Sequence, residues 1–222
     1  MLVLALDSAT PAVTAGVVAL GDGGPEVLAR CVTVDARAHG ELLTPHLLTA
    51  LAQAGRSLAD VDAIVCGVGP GPFTGLRAGL ATAAALGHAL DVPVHPVCSL
   101  DAIAAATPAG GPLLVVTDAR RKELYWAAYD AAGVRVDGPG VAKPAALAER
   151  AAELGVSRAA GYGVGLYPET LALPPAGPAH PTPAGLVRAA RTLGAEPDPL
   201  VPLYLRRPDA TVPGVRKRVT AP

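Results

Sequence analysis

The feature that most constrains the fold is a repeat. Leu2 to Asp7, LVLALD, and Leu113 to Asp118, LLVVTD, lie 111 residues apart, and each is an apolar run that closes on an aspartate. Each is followed by a short turn and a second apolar run, Val13 to Leu20 in one case and Leu124 to Tyr129 in the other. A continuous apolar run of this length reads as a strand buried on both faces, delivering polar side chains at its end. A third strand, Val27 to Val34, follows the turn at Gly21 to Gly24, so the opening reads as an antiparallel meander. Val134 and Val136 mark its counterpart. The pattern predicts a duplicated β-β-β-α unit, and hence an α/β chain of two related lobes over 1–108 and 109–205 with a basic tail over 206–222. Asp7 and Asp118 would then face each other across a cleft, since ligands usually sit at the ends of strands in such units.

Between the repeats, Gly40 to Gly55 carries Leu42, Leu43, Leu47, Leu48 and Leu51 on one helical face, and a strand from Ala63 to Cys66 follows. A second helix and a strand at Val92 to Val97 complete the first half. The second half reads as eroded. It has a helix from Lys143 through Ala152, a short strand near Ala159 and a turn at Gly161, Gly163 and Gly165. Leu173 to Gly185 then carries five prolines and reads as an irregular loop. A helix over Leu186 to Leu193 and a linker over Glu196 to Pro202 end the pattern.

The most unusual backbone demands fall on Val65 to Arg77, VCGVGPGPFTGLR. Gly69 and Gly71 permit left-handed or close-approach geometry, while Pro70 and Pro72 fix their own torsions. Thr74 is in place to cap the helix that follows, and Gly75, Gly79, Ala83 and Gly87 recur every fourth residue as a stripe of small side chains. Another helix can approach such a stripe closely. Glycine amides before a helix also suggest an anion site, but the Lys of a Walker loop is missing where Gly75, Leu76 and Arg77 stand, and two prolines remove amide donors. Phosphate loop, structural turn and partner surface all stay open from the residues alone. Arg77, in the first turn of its helix, opposes the helix dipole and calls for a compensating group, either a carboxylate of this chain or a partner's acid or phosphate.

Composition excludes several functions. The chain is 51% hydrophobic and 17% charged, with a formal net charge of -1, so no global basic field attracts nucleic acid and any RNA contact must be local. Cys31, Cys66 and Cys98 sit in apolar runs without metal-ligand spacing, as free thiols of a reducing compartment would. The five histidines show no ligand spacing, and no Gly-x-Ser-x-Gly elbow is present. The apolar stretches are too short to span a membrane, and the start does not read as a signal peptide, so a cytoplasmic protein is expected. Arg206, Arg207, Arg216, Lys217 and Arg218 against Asp209 make the tail locally basic.

The residues resemble one family in particular. GVGPGPFTGLRAG from Gly67 to Gly79 is similar to the hallmark of the TsaB proteins of tRNA threonylcarbamoyladenosine biosynthesis. LALDSATPAVTAGV from Leu4, RAHGELLTP from Arg37 to Pro45, DARRKELYWAAY from Asp118 to Tyr129, and PLYLRR from Pro202 extend the resemblance over most of the chain. It implies an ASKHA fold (actin, sugar kinase and Hsp70-like) of two lobes, and a non-catalytic scaffold and activator for TsaD, which carries the metal and nucleotide. His39 followed by Leu43 stands where TsaD-like proteins have His-x-x-x-His. TsaE, a second TsaB copy competing with TsaD, and tRNA reached through the complex are the other partners implied. His39, Leu42, Leu43, Gly69, Gly71, Thr74, Gly75, Arg77, Gly79, Ala83 and Gly87 are the expected partner-binding residues. Asp7, Asp118, Gly161 and Gly163 are left as vestigial nucleotide positions. No cofactor is expected in the isolated chain, with ATP or ADP left open in the complex. A glycoprotease-like name would follow the shared fold alone. The competing reading is an ATPase or small sugar kinase on the same fold.

Overall fold

A computed structural model describes residues 1–191 and 193–206. The first half builds a five-stranded sheet from β1 (Leu2–Asp7), β2 (Ala12–Gly21), β3 (Gly24–Val34), β4 (Ala63–Gly67) and β5 (Val94–Val97), with helices α1 (His39–Gln53), α2 (Phe73–Leu90) and α3 (Ser99–Ala105). The strand order is β3-β2-β1-β4-β5. The first three strands pair antiparallel, and β1 pairs parallel with β4, as β4 does with β5. The second half repeats this with β6 (Leu113–Asp118), β7 (Leu124–Tyr129), β8 (Arg135–Ala142) and β9 (Arg158–Ala160), in the order β8-β7-β6-β9. Helices α4 (Pro144–Glu153), α5 (Pro168–Leu171) and α6 (Pro183–Ala189), with short 3-10 helices at Leu58–Asp60 and Tyr162–Leu166, complete the described elements. The duplication and the loss of a fifth strand from the second sheet both match the sequence pattern.

Why β1 is a continuous apolar run is visible in its two faces. Leu4 and Leu6 pack with Leu43, Leu47, Leu76 and Leu80 of α1 and α2 on one side. Val3 and Ala5 pack with Leu186 and Val187 of α6 on the other. A strand covered on both sides has no position where water can solvate a polar side chain, so alternation disappears. Each buried leucine contributes about 1.5–3 kcal/mol relative to exposure.

The lobe boundaries differ from those expected. Residues 183–205 do not belong to the second lobe. Helix α6, begun by Thr182 accepting a hydrogen bond from the Gly185 amide at 3.1 Å, covers the rear of the first sheet. Leu200 and Leu203 then pack on the first-lobe core, and the Leu203 amide donates to the Val68 carbonyl at 2.8 Å. The reason is burial: without α6, the Val3, Ala5, Val18 and Val65 face would lie open to water. Of the expected tail only Arg206 is described; 207–222 lie outside the described residues.

Helix α3 was not foreseen. Leu100 and Ile103 pack with Leu113, Val115, Ala127 and Tyr129 of the second sheet, while Ala102 joins the α6 layer behind the first sheet. The helix is therefore shared by both lobes.

Candidate functional site

The duplicated strands β1 and β6 bring their terminal aspartates to the junction of the lobes, where a cleft of about 680 Å³ opens. Asp118 lines it, together with Ser8, Thr10, Arg37, His39, Arg120 and Tyr162 among others. Asp7 does not, so the expected pair of facing acids is not formed. Its carboxylate is fully buried, accepting from Ser99 Oγ at 2.5 Å and from the Ala9 amide at 2.9 Å. A Cβ at Gly67 would overlap Asp7 Oδ2, so that glycine exists to admit the carboxylate. Burial raises the Asp7 carboxyl to about 6, against the lowering effect of the Ser99 and Ala9 hydrogen bonds and the His39 charge.

The Gly-Pro loop is folded against the end of β1. The Gly69–Pro70 peptide is cis and Gly69 has φ of 95°. A Cβ at Gly71 would overlap the Ala9 carbonyl. Gly69 and Gly71 are buried and serve close packing, which corrects their assignment to a partner surface. The small-residue stripe is corrected in the same way. Gly75, Gly79, Ala83 and Gly87 are the buried face of α2. Added Cβ atoms would overlap the Ser8 carbonyl at Gly75, Ser8 Oγ at Gly79 and Val94 at Gly87. The helix approaches its own sheet, because glycine lets the backbone sit where β1 and β5 already stand.

Thr74 is not a cap. Pro72 occupies the N-cap position without a side-chain hydrogen bond, and Thr74 lies exposed inside α2. On α1, Leu43 is only 1% exposed and packs in the core, Leu42 is half-buried against it, and His39 is buried with Nε2 2.8 Å from the Thr10 carbonyl. A carbonyl only accepts, so Nε2 carries the proton. These three residues build the cleft wall and the core. Of the expected residues on α2, Thr74 and Arg77 are exposed, and the other exposed positions of α1 and α2 include Glu41, Thr44, Leu48, Ala52, Ala81, Ala85, His88 and Ala89.

Arg77 is compensated by aromatic rings. Its guanidinium lies 5.4 Å from the Phe73 ring and 5.7 Å from that of Tyr204, and Nε donates to the Tyr204 hydroxyl at 3.0 Å. Phe73 and Tyr204 meet edge to face at 5.0 Å. The chain segment 200–206 thus straps the loop, and Arg206 reaches Glu123 of the second lobe.

Gly161 and Gly163 pack on the Val116 carbonyl, where a Cβ would crowd it, and Gly161 has φ of 90°. Their effect is to set Tyr162 into the cleft beside His180, ring centroids 5.1 Å apart. Thr10 organises this wall from the first lobe: its carbonyl holds His39 and its hydroxyl lies 3.1 Å from His180 Nδ1. Burial lowers the His180 ring below its ordinary range. Thr10 stood in the sequence reading only as a polar residue after the first strand, and Tyr162 and His180 were given no role there, because the three meet only through long-range contacts. Burial pushes the Cys66 thiol up, with the Asp7 charge adding to it, and raises Cys98 to about 12, so neither is held as a thiolate. No group of three or more metal-ligating side chains is found among the described residues.

Two related sheets around a cleft, each beginning with the same three-strand meander, define a two-lobed protein of the ASKHA type. Residues 26–174 match the family model described as TsaD, tRNA N6-adenosine threonylcarbamoyltransferase. The chain belongs to that family, and within it is of the TsaB (YeaZ) type. An uncharacterized protein of Mycobacterium tuberculosis is 56% identical over 94% of this chain and 93% of its own. The tRNA threonylcarbamoyladenosine biosynthesis protein TsaB of Escherichia coli is 36% identical over 58% of this chain and 55% of its own. A crystal structure of a Pseudomonas aeruginosa protein, described as having similarity to peptidase YEAZ, superposes with a TM-score of 0.74 at 28% identity, covering 92% of this chain and 99% of that one.

Proposed function

We propose that this protein supports threonylcarbamoyladenosine formation in tRNA as a non-catalytic partner of the TsaD transferase. The observation that carries the non-catalytic role is the placement of Asp7. The acid that the duplication would aim at Asp118 is withdrawn from the cleft and bound by Ser99 and Ala9. What remains in the cleft is one carboxylate flanked by Arg120 and Arg121, with Pro11 and Pro72 lacking the amides that a phosphate cradle needs.

The partner surface in this reading is the outer side of the α1–α2 pair. Between the exposed Glu41 and Gln53 of α1 and Arg77 and His88 of α2, its exposed positions include the small or apolar Thr44, Leu48, Ala52, Ala81 and Ala85, which suit helix packing at close range. TsaD and a second copy of this chain compete for that one surface, TsaE joins the assembled pair, and ATP or ADP belongs to the complex. Depleting the protein and measuring threonylcarbamoyladenosine in tRNA by mass spectrometry tests the reading. A fall in the modified nucleoside is expected, and an unchanged level would refute it.

A further inference from the structure

We infer that the basic rim of the interlobe cleft binds the phosphate backbone of RNA, an inference that rests on the proposed role in tRNA modification. The turn joining β6 to β7 presents Arg120, Arg121 and Lys122, all exposed, at φ of 61°, 54° and 59°. Left-handed geometry is unfavourable for anything but glycine or a short polar residue. The turn holds three long cationic side chains in that geometry, where glycine or asparagine would relieve the strain. The turn is pinned from within, since Asp118 Oδ1 accepts from the Arg120 amide at 2.8 Å and the Glu123 amide donates to the Arg120 carbonyl at 3.0 Å.

Other charge converges on the same place. Arg37, on the loop between β3 and α1, lines the cleft with Arg120 and Arg121. Arg206 pairs with Glu123 and so neutralises an acid of the turn. Arg37, Arg120, Arg121, Lys122 and Arg206 thus gather on one rim in a protein whose formal net charge is -1. Segregation of this kind favours a polyanion over a compact one. A single nucleotide inside the cleft would meet the Asp118 carboxylate and two prolines without amide donors, whereas a backbone crossing the mouth meets the exposed Arg37, Arg120, Arg121 and Lys122.

The test is titration of a labelled RNA stem-loop with the full chain, followed by fluorescence anisotropy at a series of salt concentrations. Each backbone contact contributes about 0.7–0.9 to the slope of log affinity against log salt. Replacing Arg120, Arg121 and Lys122 together by Asn, which accepts the left-handed geometry, should lower that slope by roughly 2–3. Circular dichroism and the melting temperature report whether the variant folds. Arg37→Gln, on a separate loop, should lower the slope by about 0.7–0.9 and keeps the test open if the triple variant does not fold. A wild-type slope in both variants overturns the inference. So does displacement of the RNA by stoichiometric ATP, which assigns the rim to a nucleotide, or by an equal charge of polyglutamate, which assigns it to an acidic protein. Loss of the slope with unchanged tRNA modification on depletion sinks the proposed function alone, and the reverse pattern sinks the RNA rim alone.

Discussion

Ser99 donates its hydroxyl proton to Asp7 Oδ2 at 2.5 Å, across 92 residues of sequence. The bond ties the end of β1 to the first residue of α3 and fills one side of a carboxylate that would otherwise stand unpaired in the core. Charge in that position is costly, and its cost sets the pH response of the fold.

Asp7 has an ordinary value of 3.8 and is raised to about 6 in the folded protein. Folding therefore favours the protonated acid. Its contribution to stability is fully present below pH 3.8 and is lost as pH rises through about 6. The shift corresponds to on the order of 3 kcal/mol. Asp7→Asn should gain stability relative to the parent protein between pH 4 and 7, measured as the difference in urea midpoints. A difference that does not change with pH would contradict the assignment.

Ser99→Ala removes a donor from a buried carboxylate and should cost about 1–3 kcal/mol. Gly67→Ala should cost more, because its Cβ overlaps Asp7 Oδ2, and an unchanged denaturation midpoint in either variant would show that the carboxylate is not held as described.

Leu48 is 49% exposed and Ala85 is exposed on α2. Leu48→Arg and Ala85→Arg should leave stability within about 0.5 kcal/mol, as surface substitutions do, yet abolish co-purification with the transferase and self-association. Gly79→Arg is expected to fail earlier, by unfolding, since its side chain would enter the space of Ser8. Persistence of the transferase complex in both arginine variants would move the partner surface elsewhere.

Arg77 and Tyr204 should be coupled. A double-mutant cycle of Arg77→Ala with Tyr204→Phe and Tyr204→Ala is expected to show about 0.5–1 kcal/mol between guanidinium and ring, with part of it already lost in the phenylalanine variant. Additive effects would mean that the strap is held by its leucines alone.

Thr117 is 2% exposed, and its hydroxyl lacks a hydrogen-bond partner among the described residues. Thr117→Val keeps the shape and removes an unsatisfied group, so a gain of about 1 kcal/mol in thermal or urea denaturation is expected. A loss of stability would show that the hydroxyl has found a donor or acceptor.

The sheets were legible because a strand buried on both faces writes an unbroken apolar run, and the duplication wrote it twice. Helix α3 was not: it has seven residues, SLDAIAA, too few to write a helical period, and Leu100, Ala102 and Ile103 are buried between the lobes. The glycine stripe was found, but its direction was misjudged. Spacing places Gly75, Gly79, Ala83 and Gly87 on one side of a helix, and only coordinates say that Ser8 and Val94 already occupy that side. Asp118 was foreseen in the cleft and is there. Asp7 was expected beside it, and its withdrawal depends on Ser99, which no local pattern connects to it.

Because α6 covers β1, the second lobe is an insertion within the first. Leu186 must be made before Val3 can be covered from behind. Leu186 follows Val3 by 183 residues, so at synthesis rates of about 5–20 residues per second that face of the nascent sheet stays open for roughly 10–40 seconds. During that interval the emerging chain carries Val3, Ala5, Val18 and Val65 as an uncovered apolar face, closed only when the last helix arrives.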